Sequence, residues 1–331
     1  MAVFIIAELS ANHNNSFELA VESIKSMAEA GVDAVKIQTY KPESLTLDMD
    51  TGYFAPRSEG LWKGYTSWRL YKEASMPYKW QPKLKKIAED FGLIFFSTPF
   101  DKEGVDFLET IDIPIYKIAS LEITDVPLIK YVASKGKPMI ISTGVADISD
   151  IELALTTCRE AGNNDITLLK CTSNYPAKIS DANLLTIPDM KKRFGVKVGV
   201  SDHTMGSLVP IVAVSLGAEV VEKHFILDRN LGGPDSAFSM EPLEFKRMVE
   251  EIRETESSLG VISYNVSEKD KVRRRSLFVV QDIKKGDKLT SENIRSIRPG
   301  NGLHPKHYNN VIGKIAKFDI ERGSALDWEM I

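Results

Sequence analysis

His203 in SDHT and His224 in EKHF each close a short apolar run, and neutral imidazole is the commonest protein ligand for a divalent ion. The chain has five histidines, so two at successive run ends stand out. Two protein ligands leave positions open for substrate and water. Such a site suits Mn²⁺, with Mg²⁺ or Co²⁺ as alternatives, better than a closed structural zinc. Lys36 and Lys117 close two further runs. Ser120, Ser142, Asn174 and Ser201 close or follow others. Lysines supply charge, and hydroxyls and an amide supply directed donors, so the set suits a phosphate beside a carboxylate. Any one of these serines could equally be a strand-end cap. Two lysines in an apolar interior are harder to set aside, because an unpartnered buried charge is costly. Glu8, Glu122 and Asp235 add carboxylates that could bind sugar hydroxyls or move protons, although Asp235 in GGPDS also fits a turn.

These residues need elements that bring them together. Eight apolar runs recur before residue 230: FIIAE, AVKIQ, LIFFST, IYKIAS, MIISTG, ITLLKCTSN, VGVSDH and VVEKHF. An amphipathic stretch follows each one. That alternation predicts an α/β fold, a TIM (β/α)8 barrel, with the polar run ends gathered at the carboxyl face of the strands. Helices are expected over 17–30, 125–135, 149–161, 207–217 and 242–258, the first with Ser16 as N-cap and Gly31 as its stop. The interval between Gln38 and Leu93 is long and rich in aromatics, among them Tyr53, Trp62, Tyr71 and Trp80. Long connections on this face form lids or specificity segments, or simply cover the barrel mouth.

The expected organisation is a catalytic barrel over 1–260, a linker over 261–272 and a small β-rich module over 273–331. In the module, short β-like pieces alternate with KKGD and ERGS turns. RRR at 273–275 reads as a junction or a local anion contact.

Composition narrows the classes. The 331 residues are 43% hydrophobic, with a net charge of -4 and no basic cluster interleaved with aromatics, so neither nucleic acid nor an anionic membrane surface is indicated. No run approaches the ~20 apolar residues needed to span a bilayer, and no signal peptide is seen. Cys158 and Cys171 form no metal or redox motif, which fits a reduced, cytoplasmic setting; Cys171 reads as a small buried filler. No Walker-type loop is present, so a nucleotide is not implied. His13 reads as loop structure, and His304 and His307 as surface or interface residues.

Taken in order, AELSANHNNS, DAVKIQTY, FFSTPFD, YKIASLEITD, ISTGVA, LLKCTSNYPA, GVSDHTMG, EKHFILDRNLGGPDSAFS and RRSLFVVQDIKKGD…IRPGNGLHP resemble the phosphoenolpyruvate-dependent sialic acid (nonulosonic acid) synthases over nearly the whole chain. KIQTYKPESLTL and the GLW…LYKEASMPYKW stretch are similar to the branch that uses 2,4-diacetamido-2,4,6-trideoxy sugars. The resemblance implies that the terminal module is an antifreeze-like (SAF) domain. It implies that His203 and His224 hold the metal. It implies that Lys117, Ser120, Ser142, Asn174 and Ser201, with Lys36 and Thr98 beside them, bind phosphoenolpyruvate. It places Glu8, Gln38, Glu122, Tyr175 and Asp235 near the sugar or the reacting centre. Arg298 in RPGNG matches an arginine that the terminal domain sends into a partner's site, which implies a domain-swapped homodimer. The residues by themselves leave a Schiff-base aldolase using Lys36 or Lys117, or a sugar- or ice-binding protein, as other readings.

Overall fold

A computed structural model describes residues 2–331. The eight runs form strands β1 (Phe4–Glu8), β2 (Ala34–Thr39), β3 (Ile94–Pro99), β4 (Tyr116–Ile118), β5 (Met139–Ser142), β6 (Ile166–Cys171), β7 (Lys197–Asp202) and β8 (Val220–His224). They pair in sequence order, all parallel, and β8 closes on β1. Their β-branched and aromatic content suits strands buried on both faces.

The period of two along each strand sorts the side chains into two layers. Ile5, Ala7, Val35, Ile37, Phe95, Tyr116, Ile118, Ile141, Leu168, Val198, Val200 and Val221 belong to the large core shared with the surrounding helices. Ile6, Ala34, Phe96, Ile140, Leu169 and Val220 form a separate cluster inside the barrel. Fully burying each large side chain contributes roughly 1.5–3 kcal/mol. Gly199 belongs to the interior phase, and a Cβ there would collide with Val220 O, so this position tolerates only glycine. Two residues beyond the inner layer, the same phase carries Glu8, Lys36, Thr98, Ser142, Cys171, Ser201 and Glu222. The alternation that builds the core therefore also aims the polar set.

The helices follow the expected segments within a residue or two at each end: Phe17–Glu29, Val126–Ala133, Ile148–Glu160, Leu208–Ser215 and Pro242–Leu259. Ser16 caps the first of these by accepting from Leu19 N, as its sequence position implies. Between β2 and β3, the helix Gln81–Asp90 occupies the outer-helix position before β3. The preceding stretch from Tyr40 to Trp80 is additional, with short helices Pro42–Leu45 and Ser67–Ala74.

The chain divides into two units, Met1–Gly260 and Val261–Ile331. The second has its own core of Leu277, Val279, Ile283, Leu289, Ile294, Val311, Ala316, Ile320 and Leu326. It contains less regular strand than its sequence texture suggests. Only β9 (Ser276–Val279) and β10 (Ile294–Ile297) pair as an antiparallel ladder. The remaining β-like pieces meet at single bridges such as Ile283↔Ile320 and Lys288↔Ile315, because closely spaced turns end each pairing after one residue. The 261–272 segment has no regular secondary structure before the short helix Glu268–Lys271, and Gly300 N donates to Val272 O within this unit. Among the described residues, no helix is long and apolar enough to cross a membrane.

Candidate active site

The barrel's polar floor is an alternating row of charges. Lys36 Nζ pairs with Glu8, reaches Thr98 Oγ1 at 3.3 Å and lies 3.8 Å from Glu222 Oε1. Lys117 Nζ is 3.8 Å from the same Glu222 oxygen and donates to Ser142 Oγ at 2.6 Å and Ile118 O at 3.0 Å. Ser201 Oγ donates to Glu222 Oε1 at 3.1 Å. Every charge in this row is at most 5% exposed. Burial raises the Glu8 carboxyl to about 7, against the pull of Lys36. Burial works the same way on Glu222, but Lys117 and Lys36 together outweigh it and hold that carboxyl below its ordinary value. Burial depresses Lys117, whereas Glu222 and Glu8 outweigh burial at Lys36 and raise it. The floor thus has two cations around one firmly ionised carboxylate, and a second carboxyl poised near neutrality.

The two histidines stand beside this floor, with ring centroids 5.3 Å apart and planes at 56°. His203 Nδ1 lies 3.1 Å from Thr172 O, and a carbonyl can only accept, so Nδ1 carries a proton; burial opposes a second one on Nε2, but contacts with Cys171 and Thr172 outweigh it and raise the ring's pKa. His224 Nδ1 is buried without a hydrogen-bond partner among the described residues; Asp235 Oδ2 is 3.8 Å away. Burial, helped by His203 and nearby lysines, pushes His224 well below its usual pKa and keeps it neutral. Tyr175 packs 4.4 Å from His203, and Phe238 packs 4.9 Å from His224 and 5.0 Å from Tyr175, which fixes both rings. An orphaned buried nitrogen beside a second imidazole, whose Nε2 would give up its proton to a metal, fits a divalent ion held by two protein ligands. No group of three or more ligating side chains occurs among the described residues, so further ligands would come from substrate and water.

In the opposite phase of β7 and β8, behind the histidines, lies an ion pair. Asp202 and Lys223 are register partners, and Lys223 Nζ donates to both Asp202 Oδ2 and Thr204 O. Asp202 also accepts from Thr204 N at 2.9 Å and Thr204 Oγ1 at 3.0 Å. This closed set ties the turn after His203 to the strand that ends in His224.

A cavity of about 360 Å³ opens above, lined in part by Ser10, Gln38, Glu122, Tyr175, His224 and Asp235. Ser10 Oγ donates to Asp235 Oδ2 at 2.5 Å and accepts from Gln38 Nε2 at 3.0 Å. Burial raises the Asp235 carboxyl, and it raises Glu122 to about 7. Ser120 and Ser173 also line the cavity. Ser120 Oγ accepts from Gly144 N at 3.0 Å, and a Cβ on Gly144 would collide with Ser173 Oγ and lie 2.9 Å from Ser120 Oγ. A larger hollow of about 800 Å³, lined by Asp147, Lys170 and Arg193 among others, contains neither the histidines nor the floor lysines.

The structure therefore brings Glu8, Lys36, Thr98, Lys117, Ser142 and Ser201 together at the floor. It sets His203 and His224 beside them, and places Gln38, Ser120, Glu122, Tyr175 and Asp235 around the cavity. Asn174 departs from its expected place: it is exposed and lines neither hollow. The strand alternation stops at Cys171, and the loop that follows turns Ser173 to the cavity instead. Arg298 lies in the second unit. Cys171 is buried at the end of β6, as a small filler would be. Burial resists its ionisation, but contacts with His203 (3.9 Å), Ser120 and Ser173 outweigh that and bring the thiol to about 7. His13 is buried in the first loop, where Nδ1 accepts from Asn15 N at 3.0 Å and the ring meets Trp80 edge-on. The sequence marks Glu222 and Ser173 as polar run ends without giving them a role, and Ser10 does not stand out in it. Glu222 was findable, since it precedes His224 by two residues in the same strand phase.

The NeuB family model matches residues 23–264 and a SAF domain model matches residues 274–331. The chain is 46% identical to the pseudaminic acid synthase of Campylobacter jejuni, over 98% of this chain and 95% of that protein. It is 47% identical to the pseudaminic acid synthase of Helicobacter pylori, over 95% and 94%. The crystal structure of N-acetylneuraminic acid synthetase from Leptospira borgpetersenii in complex with citrate is 32% identical. It superposes with a TM-score of 0.73 over 82% of this chain and 90% of that one.

Proposed function

The chain belongs to the NeuB family, and from that premise we propose that it condenses phosphoenolpyruvate with open-chain 2,4-diacetamido-2,4,6-trideoxy-L-altrose and water to give pseudaminic acid and phosphate. The observation that carries this is the Lys36–Glu222–Lys117 floor lying beside two adjacent imidazoles. An anionic donor and a metal-polarised aldehyde need those two features side by side. The similarity to two pseudaminic acid synthases supports the altro-configured sugar.

Lys36 and Lys117 neutralise the phosphoenolpyruvate charges, and Ser120, Ser142, Ser201 and Thr98 orient it through their hydroxyls. His203 and His224 would hold a divalent ion, proposed to be Mn²⁺, which when bound supplies a Lewis acid for the aldehyde oxygen of the sugar. Gln38, Tyr175, Asp235 and Glu122 hold the sugar so that its aldehyde carbon meets C3 of phosphoenolpyruvate. As that C–C bond forms, positive charge develops at C2, and the carboxylates of Glu222 and Glu8 lie on the floor to stabilise it. Glu8 and Glu122, both near 7, are suited to take a proton from the water that adds at C2 and to return one as the C2–O bond to phosphate breaks. In this proposal the barrel (1–260) does the chemistry in the cytoplasm. The 273–331 domain, joined through 261–272, supplies Arg298 to the partner of a domain-swapped homodimer.

Phosphate release from phosphoenolpyruvate with Mn²⁺ tests the proposal against three sugars: the altro- and manno-configured 2,4-diacetamido-2,4,6-trideoxyhexoses and N-acetylmannosamine. The altro sugar is expected to turn over best. Preference for a manno sugar would move the enzyme to the legionaminate or neuraminate reaction. No release with any of them, or a borohydride-trapped pyruvate adduct on a lysine, would overturn the synthase mechanism. Arg298→Ala should raise the sugar KM more than the phosphoenolpyruvate KM; unchanged constants would remove the swapped arginine.

A further inference from the structure

We propose that Arg57, in the insertion between β2 and β3, recognises the acylamino group that distinguishes a 2,4-diacetamido sugar from a 2-acetamido sugar. This inference rests on the diacetamido sugar proposed above. The floor lysines do not line the cavity, yet Arg57 does. It is half-buried, and no carboxylate lies within 4.0 Å of its guanidinium among the described residues. A cation in a cavity wall without an ion-pair partner has donors left for a ligand.

Its position is fixed at both the side chain and the main chain. The guanidinium lies over the Trp62 ring, 5.1 Å from the centroid. Trp62 is itself anchored, because its Nε1–H donates to Pro234 O at 2.9 Å and its ring meets Tyr175 at 5.8 Å. The main chain is held as well: Arg57 N donates to Tyr65 O and Arg57 O accepts from Gly64 N, both at 2.9 Å. A stacked guanidinium presents its fork in one orientation, which reduces the ordering needed on binding.

The surroundings identify the ligand class. The same wall carries Leu45, Leu70, Tyr71 and Ala74. A hydroxyl would use the donor and waste the apolar surface, and a carboxylate would meet a wall better suited to a methyl. An acetamido group matches both halves, with its carbonyl accepting from the guanidinium and its methyl against the aliphatic and aromatic side chains. The phosphoenolpyruvate anion is already provided for by Lys36 and Lys117 at the floor, which leaves Arg57 to the neutral sugar.

The test compares wild type with Arg57→Met and Arg57→Lys on two 6-deoxy sugars, one carrying 4-acetamido and the other 4-hydroxyl. For the diacetamido sugar, Arg57→Met should raise KM about tenfold, with Arg57→Lys rescuing only part of the loss. The phosphoenolpyruvate KM should stay within about twofold, and the 4-hydroxyl sugar should show no comparable penalty. Equal losses on both sugars, or none, overturn the inference. A second readout needs no turnover: Trp62 fluorescence titrated with each sugar, with Trp62→Phe as the control for the signal. Tighter binding of the diacetamido sugar that disappears in Arg57→Met supports the assignment even if no phosphate is released, in which case the reaction proposed above fails separately. Wild-type protein that does not favour the diacetamido sugar in this titration overturns it.

Discussion

The barrel and the terminal unit both carry many charges, but they place them differently. In the barrel, Lys36, Lys117 and Lys223 are 4%, 1% and 0% exposed, and each meets a carboxylate. In the terminal unit, Lys284 pairs with Asp319 while both side chains stay more than half exposed, and Arg273 pairs with Asp270 in the same way. Water stabilises the second kind of pair whether or not it forms, so its geometry carries little free energy. The first kind is desolvated and is tolerable only when complete. A buried cation therefore marks a place where function or register requires it, and an exposed one marks very little.

That contrast can be broken by substitution, starting where the effect should be greatest. His203→Ala or His224→Ala should lower phosphate release on the order of 10³-fold or more and abolish Mn²⁺ binding, while circular dichroism shows an unchanged fold. Near-normal activity in either folded variant would remove the metal from the mechanism. Lys223→Met comes next. It leaves Asp202 charged and buried behind the histidines, and urea unfolding should show a loss of roughly 3–5 kcal/mol. Changing Asp202→Leu at the same time should recover most of it, since a matched apolar pair tolerates burial. A single variant as stable as wild type would show that this pair is not closed.

A smaller effect is written in Glu122. Unfolded, its carboxyl ionises near 4.5; folded, burial holds the proton to about 7. Between those values the folded state binds more protons, so this group makes stability fall as pH rises from about 4.5 to 7, after which its contribution levels off. Glu122→Gln should remove that fall and raise stability at pH 8 relative to pH 5 by roughly 2–3 kcal/mol, read from urea midpoints. An unchanged pH dependence would mean the side chain is better solvated than its surroundings indicate. Lys284→Ala, by contrast, should stay within about 0.5 kcal/mol of wild type, and a larger change would end the distinction drawn between the two units.

The same contrast explains what could be read from the sequence. The barrel was legible because each strand is a short apolar run, and a charged residue inside such a run, such as Lys117, declares itself. Lys36 and His224 were legible for the same reason. Glu222 was legible as a polar run end, but its role between two lysines from other strands was not, since that depends on the closure of the barrel. Asn174 was misplaced because strand alternation no longer governs side-chain direction once the chain leaves β6. Arg57 could not be assigned from sequence, since it lies in an irregular segment whose course is set by Trp62 reaching Pro234, a contact between residues far apart in the chain. In the terminal unit, apolar pieces and turns correctly indicated a small core but overstated its strands, because single bridges satisfy backbone groups without forming ladders.

The corner at Gly144 has a consequence for how such an enzyme can diverge. Its amide serves Ser120 and its missing side chain makes room for Ser173, so the position offers lineages nothing to vary. Arg57, Trp62 and Tyr71 belong to the insertion between β2 and β3, outside that corner. On the proposed function, a change of sugar preference is to be sought in that insertion, because a side chain at residue 144 would crowd Ser120 and Ser173 together.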